Sequence, residues 1–468
     1  MYTYIYGMQK DTKNRFQIVV DQLVEEVQAS CKQRRLGEKD VSRLRASVSK
    51  LITDSVAITK GRKQRRWASI HKMAGHYTAS RYHNSDITYR IHVGRAYETL
   101  VELQYLTEVK AGVYSETNRF LTRYEATDKL IDLFSDAERV ALHQSAPMRD
   151  DAELIRVQLR DENNRKYLAD YDENDDTIRM REQVAFINSV LAKNEFDLEM
   201  TRDELETLED RMHQRSKERN EGDGRLRLQD SSLYRVFNDT DFTNGGRFYG
   251  GWWQVIPSEY RTRIRINEKR TVELDFGTLH PTMLYSEVGL KPPEDSYQIG
   301  LFPRSSTGMA SLEAYRQLVK RCFNAMLNAK HPLKRPPRDV DLSAWGLKWD
   351  QIVEAIFERH KPIADQFFTG RGLLLQREDS DIAGNVMEDF ARRMGLVPLL
   401  PVHDSFICHH GYENDVHIAM KREFKKRYGT TVAVKVKRWE DDLTHLAYRP
   451  DESSAFDEDI IELAEAFK

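Results

Sequence analysis

The sequence predicts an α+β fold, with a mainly helical N-terminal region ahead of a core of antiparallel strands. Three observations carry this reading. Arg263-Ile-Arg-Ile-Asn267 and Thr271-Val-Glu-Leu-Asp275 alternate in polarity around Glu268-Lys-Arg270, the pattern of a β-hairpin. A second pair of apolar runs, Val397 to Val402 and Ser405 to His409, flanks the tight turn His403-Asp404. Between the two hairpins, Ser311 to Lys330 carries apolar residues at gaps mostly of three and four, which makes it a helix.

Composition sets the bounds. At 468 residues the chain has room for two to four domains and more than one sizeable core. Hydrophobic residues make up 40% and charged residues 31%, a soluble, charge-rich balance. The net charge of −3 alone argues for no polyanionic partner, but the charges are segregated: Lys60-Gly-Arg-Lys-Gln-Arg-Arg66 is basic and Asp451 to Glu465 is acidic. Cys31, Cys322 and Cys408 lie far apart with no CxxC spacing, which excludes a disulfide framework or zinc knuckle and fits a reducing cytoplasm. No apolar run approaches the roughly 18 residues of a membrane span, and the N-terminus has no apolar signal core. The expectation is a cytoplasmic protein, neither secreted nor membrane-bound.

In chain order, residues 1–75 read as a helical, basic segment, with Phe16, Val19, Val20, Leu23 and Val24 at helical spacing. In residues 76–140, Val93 to Leu106 reads as a helix. Two β-rich runs follow, Thr107 to Tyr114 and Arg119 to Tyr124, around the turn-forming Ser115 to Asn118. A helix with a hairpin behind it resembles a winged helix, a fold often used on DNA; the alternative is a small α+β packing module. Residues 141–230 read as a helical, thumb-like or arm region, with 176–220 a charged and solvated arm and Arg215 to Gln229 a boundary. Residues 231–449 form the expected catalytic core, and 450–468 an acidic tail.

The chemistry starts with two carboxylates. Asp275 ends a strand and is followed by Gly277 and a helix over Leu279 to Val288; Asp404 sits at a hairpin tip. Strand ends hold a side chain on a rigid base at the mouth of a cleft. Two such carboxylates can share two divalent ions about 4 Å apart, one activating an attacking hydroxyl and one steadying a leaving pyrophosphate. Hard Mg²⁺ suits an all-oxygen shell completed by substrate phosphates, with Mn²⁺ a possible substitute. In the intervening helix, Leu312, Tyr315, Val319, Cys322, Phe323 and Met326 form an apolar stripe. Arg316, Lys320, Asn324 and Asn328 recur every fourth residue on the opposite face. A cationic face aimed between two aspartates suits a triphosphate.

These motifs resemble those of a known superfamily. Asp275-Phe-Gly-Thr-Leu is similar to motif A of family A DNA polymerases, whose pattern is Asp-Tyr-Ser-x-Ile-Glu. Arg316-x-x-x-Lys320 resembles the start of motif B, shared by those enzymes and the single-subunit phage-type RNA polymerases. Val402-His-Asp-Ser-Phe406 resembles motif C in its RNA polymerase form; the DNA enzymes usually have Glu after the Asp. Gly246-Arg247, Trp252-Trp253-Gln254-Val-Ile-Pro257 and Arg263 resemble the stretch that family A enzymes place against the primer–template. The likeness covers about residues 230–445, in the family's order.

The resemblance implies a right-hand polymerase: an antiparallel palm sheet with a helical fingers segment. Asp275, Asp404 and the Phe276 carbonyl would hold the metals. Arg316 and Lys320 would contact the triphosphate, with Asn324, Asn328 and His280 lining the nucleotide site, and Lys320 would also act as the acid toward pyrophosphate. His403 would lie near the primer 3′ end, and Arg247, Gln254 and Arg263 along the primer–template. The implied partners are a DNA template–primer and nucleoside triphosphates. Residues 1–230 offer no carboxylate cluster in a strand context, so no proofreading exonuclease is expected. Lys60, Arg62, Lys63, Arg65, Arg66 and Trp67 form an aromatic-basic run suited to nucleic-acid contact, or alternatively an exposed basic loop.

The departures bear on sugar choice. Where the DNA enzymes carry a Glu five positions after the motif A Asp, this chain has His280; where both families usually place Tyr or Phe followed by Gly, it has Asn328-Ala329. DNA synthesis is the favoured reading, with a primase or RNA polymerase as the alternative. Three further readings compete. His403-Asp404 could belong to a phosphohydrolase of the HD type, but such enzymes need further ligands on helices. Cys408-His-His410 could bind a soft metal, although such a lone cluster is more often packed or solvent-facing. A catalytically silent DNA-binding replication protein would keep the scaffold and lose the chemistry.

Overall fold

The computed structural model describes residues 10–30, 36–56, 59, 66–77, 81–83, 85–114, 119–144, 153–163, 165–219, 226–301, 309–338 and 340–437. Helices α1 (Lys10–Ser30) and α2 (Glu38–Val56) come first. Phe16, Val19, Leu23 and Val27 face Leu44, Val48, Leu51 and Ile52 in one apolar core, and their spacing of three and four is why both segments are helical. Strand β1 (Ala68–Ile70) leads to α3 (Tyr89–Ile91), which continues through a π-helical turn, His92–Tyr97, into α4 (Glu98–Glu102). This helix ends earlier than its periodicity implies, because the backbone of Gln104 turns to φ +62°. Strands β2 (Leu106–Lys110), β3 (Val113–Tyr114), β4 (Arg119–Phe120) and β5 (Thr122–Ala126) follow. They build an antiparallel sheet of order β1-β5-β2 and a small β3-β4 ladder. Helices α5 (Asp128–Ile131) and α6 (Asp136–Gln144) close this first core.

The next stretch is less helical than its charge pattern implies. Strands β6 (Ile155–Arg160) and β7 (Lys166–Ala169) precede α7 (Asp175–Leu191), strand β8 (Phe196–Leu198) and α8 (Arg202–Arg219). Residues 176–220 are therefore two helices around a strand, not one solvated arm. Met180, Val184, Ile187 and Leu191 of α7 are buried, and α7 packs on a later helix. Strands β9 (Tyr234–Phe237) and β10 (Gly245–Tyr249) join β6 and β7 in a sheet of order β10-β9-β6-β7.

The sheet that carries the two aspartates begins with β11 (Ile264–Ile266) and β12 (Lys269–Phe276). Asn267 and Glu268 between them both have positive φ, 49° and 64°, as a type I′ hairpin loop requires. Helices α9 (Leu279–Glu287), α10 (Met309–Asn328), α11 (Trp349–Arg359) and α12 (Arg371–Arg393) come next. Strands β13 (Leu400–Val402) and β14 (Ser405–His409), helix α13 (Glu413–Tyr428) and strand β15 (Val434–Lys437) complete the core. The strand order is β13-β14-β12-β11-β8, with β15 also paired to β12. The chain is thus mixed α+β, and among the described residues every ladder is antiparallel except β6–β9. Strand β12 is central, with β14 on one edge and β11 and then β15 along the other.

Tyr315, Val319, Cys322, Phe323 and Met326 of α10 are buried as their stripe implies, whereas Leu312 is exposed. Helix α12 buries Leu375, Ile382, Val386 and Phe390 and packs against β10, α13 and α7. It therefore links β10 of one sheet to α13, which packs on β12 of the other. No described helix is long and apolar enough to cross a membrane.

Candidate active site

Strand register brings the two aspartates together. Asp275 pairs across the ladder with Ser405, the neighbour of Asp404, and the Phe276 N–H donates to the Asp404 carbonyl at 3.2 Å. Asp275 is followed by Gly277, whose N–H donates to the Ala433 carbonyl at 2.7 Å; a Cβ there would press on Ala433. Two strained backbones flank the pair. Thr278 has φ 51° and ψ 45°, left-handed and unusual for a β-branched residue, and His403 has φ 57°. Such conformations cost about 1–3 kcal/mol each and persist where surrounding structure enforces them. Here they turn α9 and the β13–β14 tip away immediately beside each carboxylate.

A charged cluster lies under Asp275. Glu273, on the same strand face two residues earlier, is buried and accepts a hydrogen bond from the Ser405 hydroxyl at 2.7 Å. Lys437 of β15 donates to Glu273 Oε1 at 2.9 Å, and its Nζ stands 3.2 Å from Asp275 Oδ2. Arg261 reaches Glu273 at 3.2 Å. Burial favours a neutral Glu273, but Ser405, Lys437 and Arg261 together outweigh it and hold its carboxyl below the ordinary range. Asp275 shows the opposite balance: burial, then the neighbouring Asp404 charge, raises its pKa despite Lys437 and Lys320.

Helix α10 presents its polar face toward this cluster. Lys320 lies within electrostatic reach of Asp275. Arg316 is held by Asp295, with Nε 3.1 Å and 3.2 Å from the two carboxylate oxygens, and its guanidinium lies 5.1 Å from the centre of the Tyr297 ring. The Tyr297 hydroxyl is pushed well above its usual pKa by burial, against Arg316 and with help from Asp404. Asn324 is half-buried on the same face. Asn328 donates to the Asn324 carbonyl at 2.8 Å and abuts Gly372 so closely that a Cβ at 372 would collide with its amide.

The far wall comes from α9, β10 and α12. His280 Nε2 lies 2.9 Å from Asp379 Oδ2, and Arg247 Nη2 donates to the same oxygen at 2.8 Å. Burial favours a neutral Asp379, but His280 and Arg247 outweigh it and keep the carboxyl below its ordinary range. Burial likewise opposes the Arg247 charge, which Asp379 and Asp404 hold in place. Gln254 donates to the Phe248 and Pro401 carbonyls at 3.0 Å and 3.1 Å, so both amide hydrogens brace the β10–β13 junction. His403 is exposed at its hairpin tip, with the Tyr249 ring 6.4 Å away.

No protein-family model matches this chain, and no curated protein is similar to it in sequence. The site therefore stands on its own geometry.

Arg263, expected along the primer–template, donates to Glu204 of α8 at 2.8 Å, and Arg261, two residues earlier, lies beside Glu273. Two expectations need correction. Arg66 is 3% exposed and donates to the Leu198 and Met200 carbonyls, so it braces β8 and offers no charge to a partner. Trp67 is 7% exposed, with Nε1 donating to Glu209 at 3.3 Å, and has no face free for stacking. A basic run implies surface groups, yet Trp67 belongs to one core and the next residue, Ala68, to the other. Lys60, Arg62, Lys63 and Arg65 lie outside the described residues, as does the acidic segment 450–468. Cys408 and His409 are buried within the sheet, and burial raises the Cys408 thiol well above its usual pKa, which disfavours a soft-metal thiolate.

Among the described residues no group of three or more His, Cys, Asp or Glu side chains is placed to hold a metal. The candidate donor set is smaller: Asp275 and Asp404 with backbone carbonyls. It fits Mg²⁺, which keeps several waters and needs only one or two carboxylates plus substrate phosphates. Burial first and the neighbouring Asp404 charge second raise the Asp275 pKa, and the Lys437 ammonium stands 3.2 Å from its Oδ2. Sequence reasoning missed Glu273, Asp295, Tyr297, Asp379, Arg261 and Lys437. Only Glu273 carried a local signal, its two-residue spacing from Asp275.

Proposed function

We propose that this chain is a template-directed nucleotidyltransferase, a DNA-directed DNA polymerase of the family A type without a proofreading exonuclease. The carrying observation is the pairing of β12 with β14, which sets Asp275 beside the Asp404 turn, with Lys320 of α10 within electrostatic reach of Asp275. In this reading the β8 and β11–β15 sheet is the palm and α10 belongs to the fingers. The helix of α3–α4 with strands β2–β5 is a winged-helix-like module for DNA.

The residues then have distinct tasks. Asp275 and Asp404 would hold two Mg²⁺ ions, which would lower the pKa of the attacking hydroxyl and neutralise charge on the phosphates. Arg316 and Lys320 bind the triphosphate, and Lys320 gives a proton to the departing pyrophosphate. Arg247 and His403 position the primer end, and His280 faces the sugar.

Asp404→Ala and Asp275→Ala are expected to fold normally and to lose extension of a primed template in Mg²⁺. Undiminished synthesis by Asp404→Ala would falsify the assignment. A second reading, a primase or phage-type RNA polymerase, is favoured by Ser405 alone. Primed and unprimed DNA templates offered dNTPs or NTPs separately distinguish the two: efficient unprimed NTP polymerisation with dNTPs ignored selects the second.

A further inference from the structure

Asp379 is a buried carboxylate that two-metal chemistry leaves without a task. It lies on α12, 4% exposed, and its Oδ2 accepts from His280 Nε2 of α9 and from Arg247 Nη2 of β10 at once. A buried charge must be compensated. One arginine would suffice for that; sharing a single oxygen between two elements also fixes the two donors relative to each other. The bond sets the histidine tautomer, with Nε2 carrying the proton and the Nδ1 edge of the ring turned to the other side. The buried Nε of Arg247 has no hydrogen-bond partner among the described residues. The next residue reinforces the frame: Ser380 Oγ accepts from Arg235 Nη2 at 2.9 Å, and Arg235 Nε donates to the Gly246 carbonyl at 2.7 Å, directly before Arg247.

We infer that Asp379 is a specificity-determining positioning residue that holds His280 and Arg247 as one unit. His280 is thereby set against the sugar of the incoming nucleoside triphosphate and Arg247 against the paired primer end. Choice between deoxy- and ribonucleotides is coupled through Asp379 to recognition of the terminus. The sugar part of this inference rests on the polymerase reading; the positioning part does not.

Asp379→Asn keeps the shape and removes the charge, and His280→Phe keeps a ring but removes one of the two donors without touching Arg247. In steady-state primer extension, Asp379→Asn is expected to raise KM for the preferred nucleotide about tenfold with a much smaller change in kcat. It should also shift the dNTP-to-NTP ratio of kcat/KM by about tenfold. His280→Phe should shift the same ratio, and the double variant should go no further than His280→Phe alone, because the two act through one contact. A purely structural Asp379 would lower stability and scale both sugars equally, and that result overturns the inference, as does additivity in the double variant. The long-range ¹H–¹⁵N imidazole spectrum of the full chain gives a readout independent of activity. A protected His280 Nε2–H in the wild type should be lost in Asp379→Asn, and an unchanged spectrum overturns the positioning role. If that resonance behaves as expected while the wild type extends no primer, the contact stands and the link to nucleotide sugars falls with the polymerase reading.

Discussion

The Lys437 ammonium stands 3.2 Å from Asp275 Oδ2. Strand β15 thus delivers a fixed positive charge to the carboxylate that the proposed chemistry needs for a metal, and Glu273 anchors it there at 2.9 Å. A divalent ion arriving at Asp275 meets that charge. Lys437→Met should therefore tighten Mn²⁺ binding by about three- to tenfold, a moderate effect because the lysine is partly solvated. Titration followed by the electron paramagnetic resonance of free Mn²⁺ checks this. Unchanged affinity would mean that Lys437 serves Glu273 alone.

Arg316 and Asp295 form a pair whose carboxylate competes with any anion for the guanidinium. Arg316→Ala is expected to raise KM for the nucleotide by about tenfold or more with little change in template affinity. Asp295→Asn keeps the bond from the Tyr297 N–H but frees Arg316, and should lower that KM by about threefold. Equal increases in both variants would instead make Asp295 the group that aims Arg316.

Glu209 is buried beside Trp67 and paired with Arg123, which joins α8 to β5 of the first core. Burial raises its carboxyl to about 7 in spite of Arg123 and the Trp67 hydrogen bond. Because the native pKa lies above the unfolded one, the stability it contributes is full below the usual 4.5 and is lost as pH rises through about 7. Glu209→Gln should therefore match the wild type at pH 5 and melt roughly 2–4 °C higher at pH 8. Calorimetric melting curves across that range decide it; a constant offset at all pH values would rule the titration out.

Trp67 fills the seam between the two cores, with the Arg123 guanidinium 5.1 Å from its ring centre. Trp67→Ala should cost about 3–5 kcal/mol of stability. The milder Trp67→Phe should cost about 1 kcal/mol through the lost Glu209 hydrogen bond. Neither change is expected to alter the salt dependence of any DNA binding, since the ring itself is buried. Denaturant titration and binding isotherms at two salt concentrations separate the effects, and a weaker salt slope for Trp67→Phe would restore a nucleic-acid role.

The sequence alone determined the parts of this protein that depend on short-range periodicity. The β11–β12 and β13–β14 hairpins follow from alternation around turn residues, and α10 from apolar gaps of three and four; the first turn is two residues, Asn267 and Glu268, and not Glu268 to Arg270, because the second strand starts at Lys269. The placement of Asp275 and Asp404 at strand ends was legible because the turn signals lie beside them. The charged tract 176–220 misled, because charge density hides a three-residue strand and cannot tell a solvated helix from one with a narrow buried stripe. Register and packing decided the rest. Lys437 reaches Asp275 only because β15 pairs with β12, and Asp379 reaches His280 and Arg247 only because α12 packs against both α9 and β10. Whether Arg261 or Arg263 meets Glu273, and whether Trp67 is buried, likewise depends on what lies opposite. Local pattern fixes which way a side chain leaves its own strand or helix; what it meets is set by residues far away in sequence, brought there when the chain buries its apolar surface.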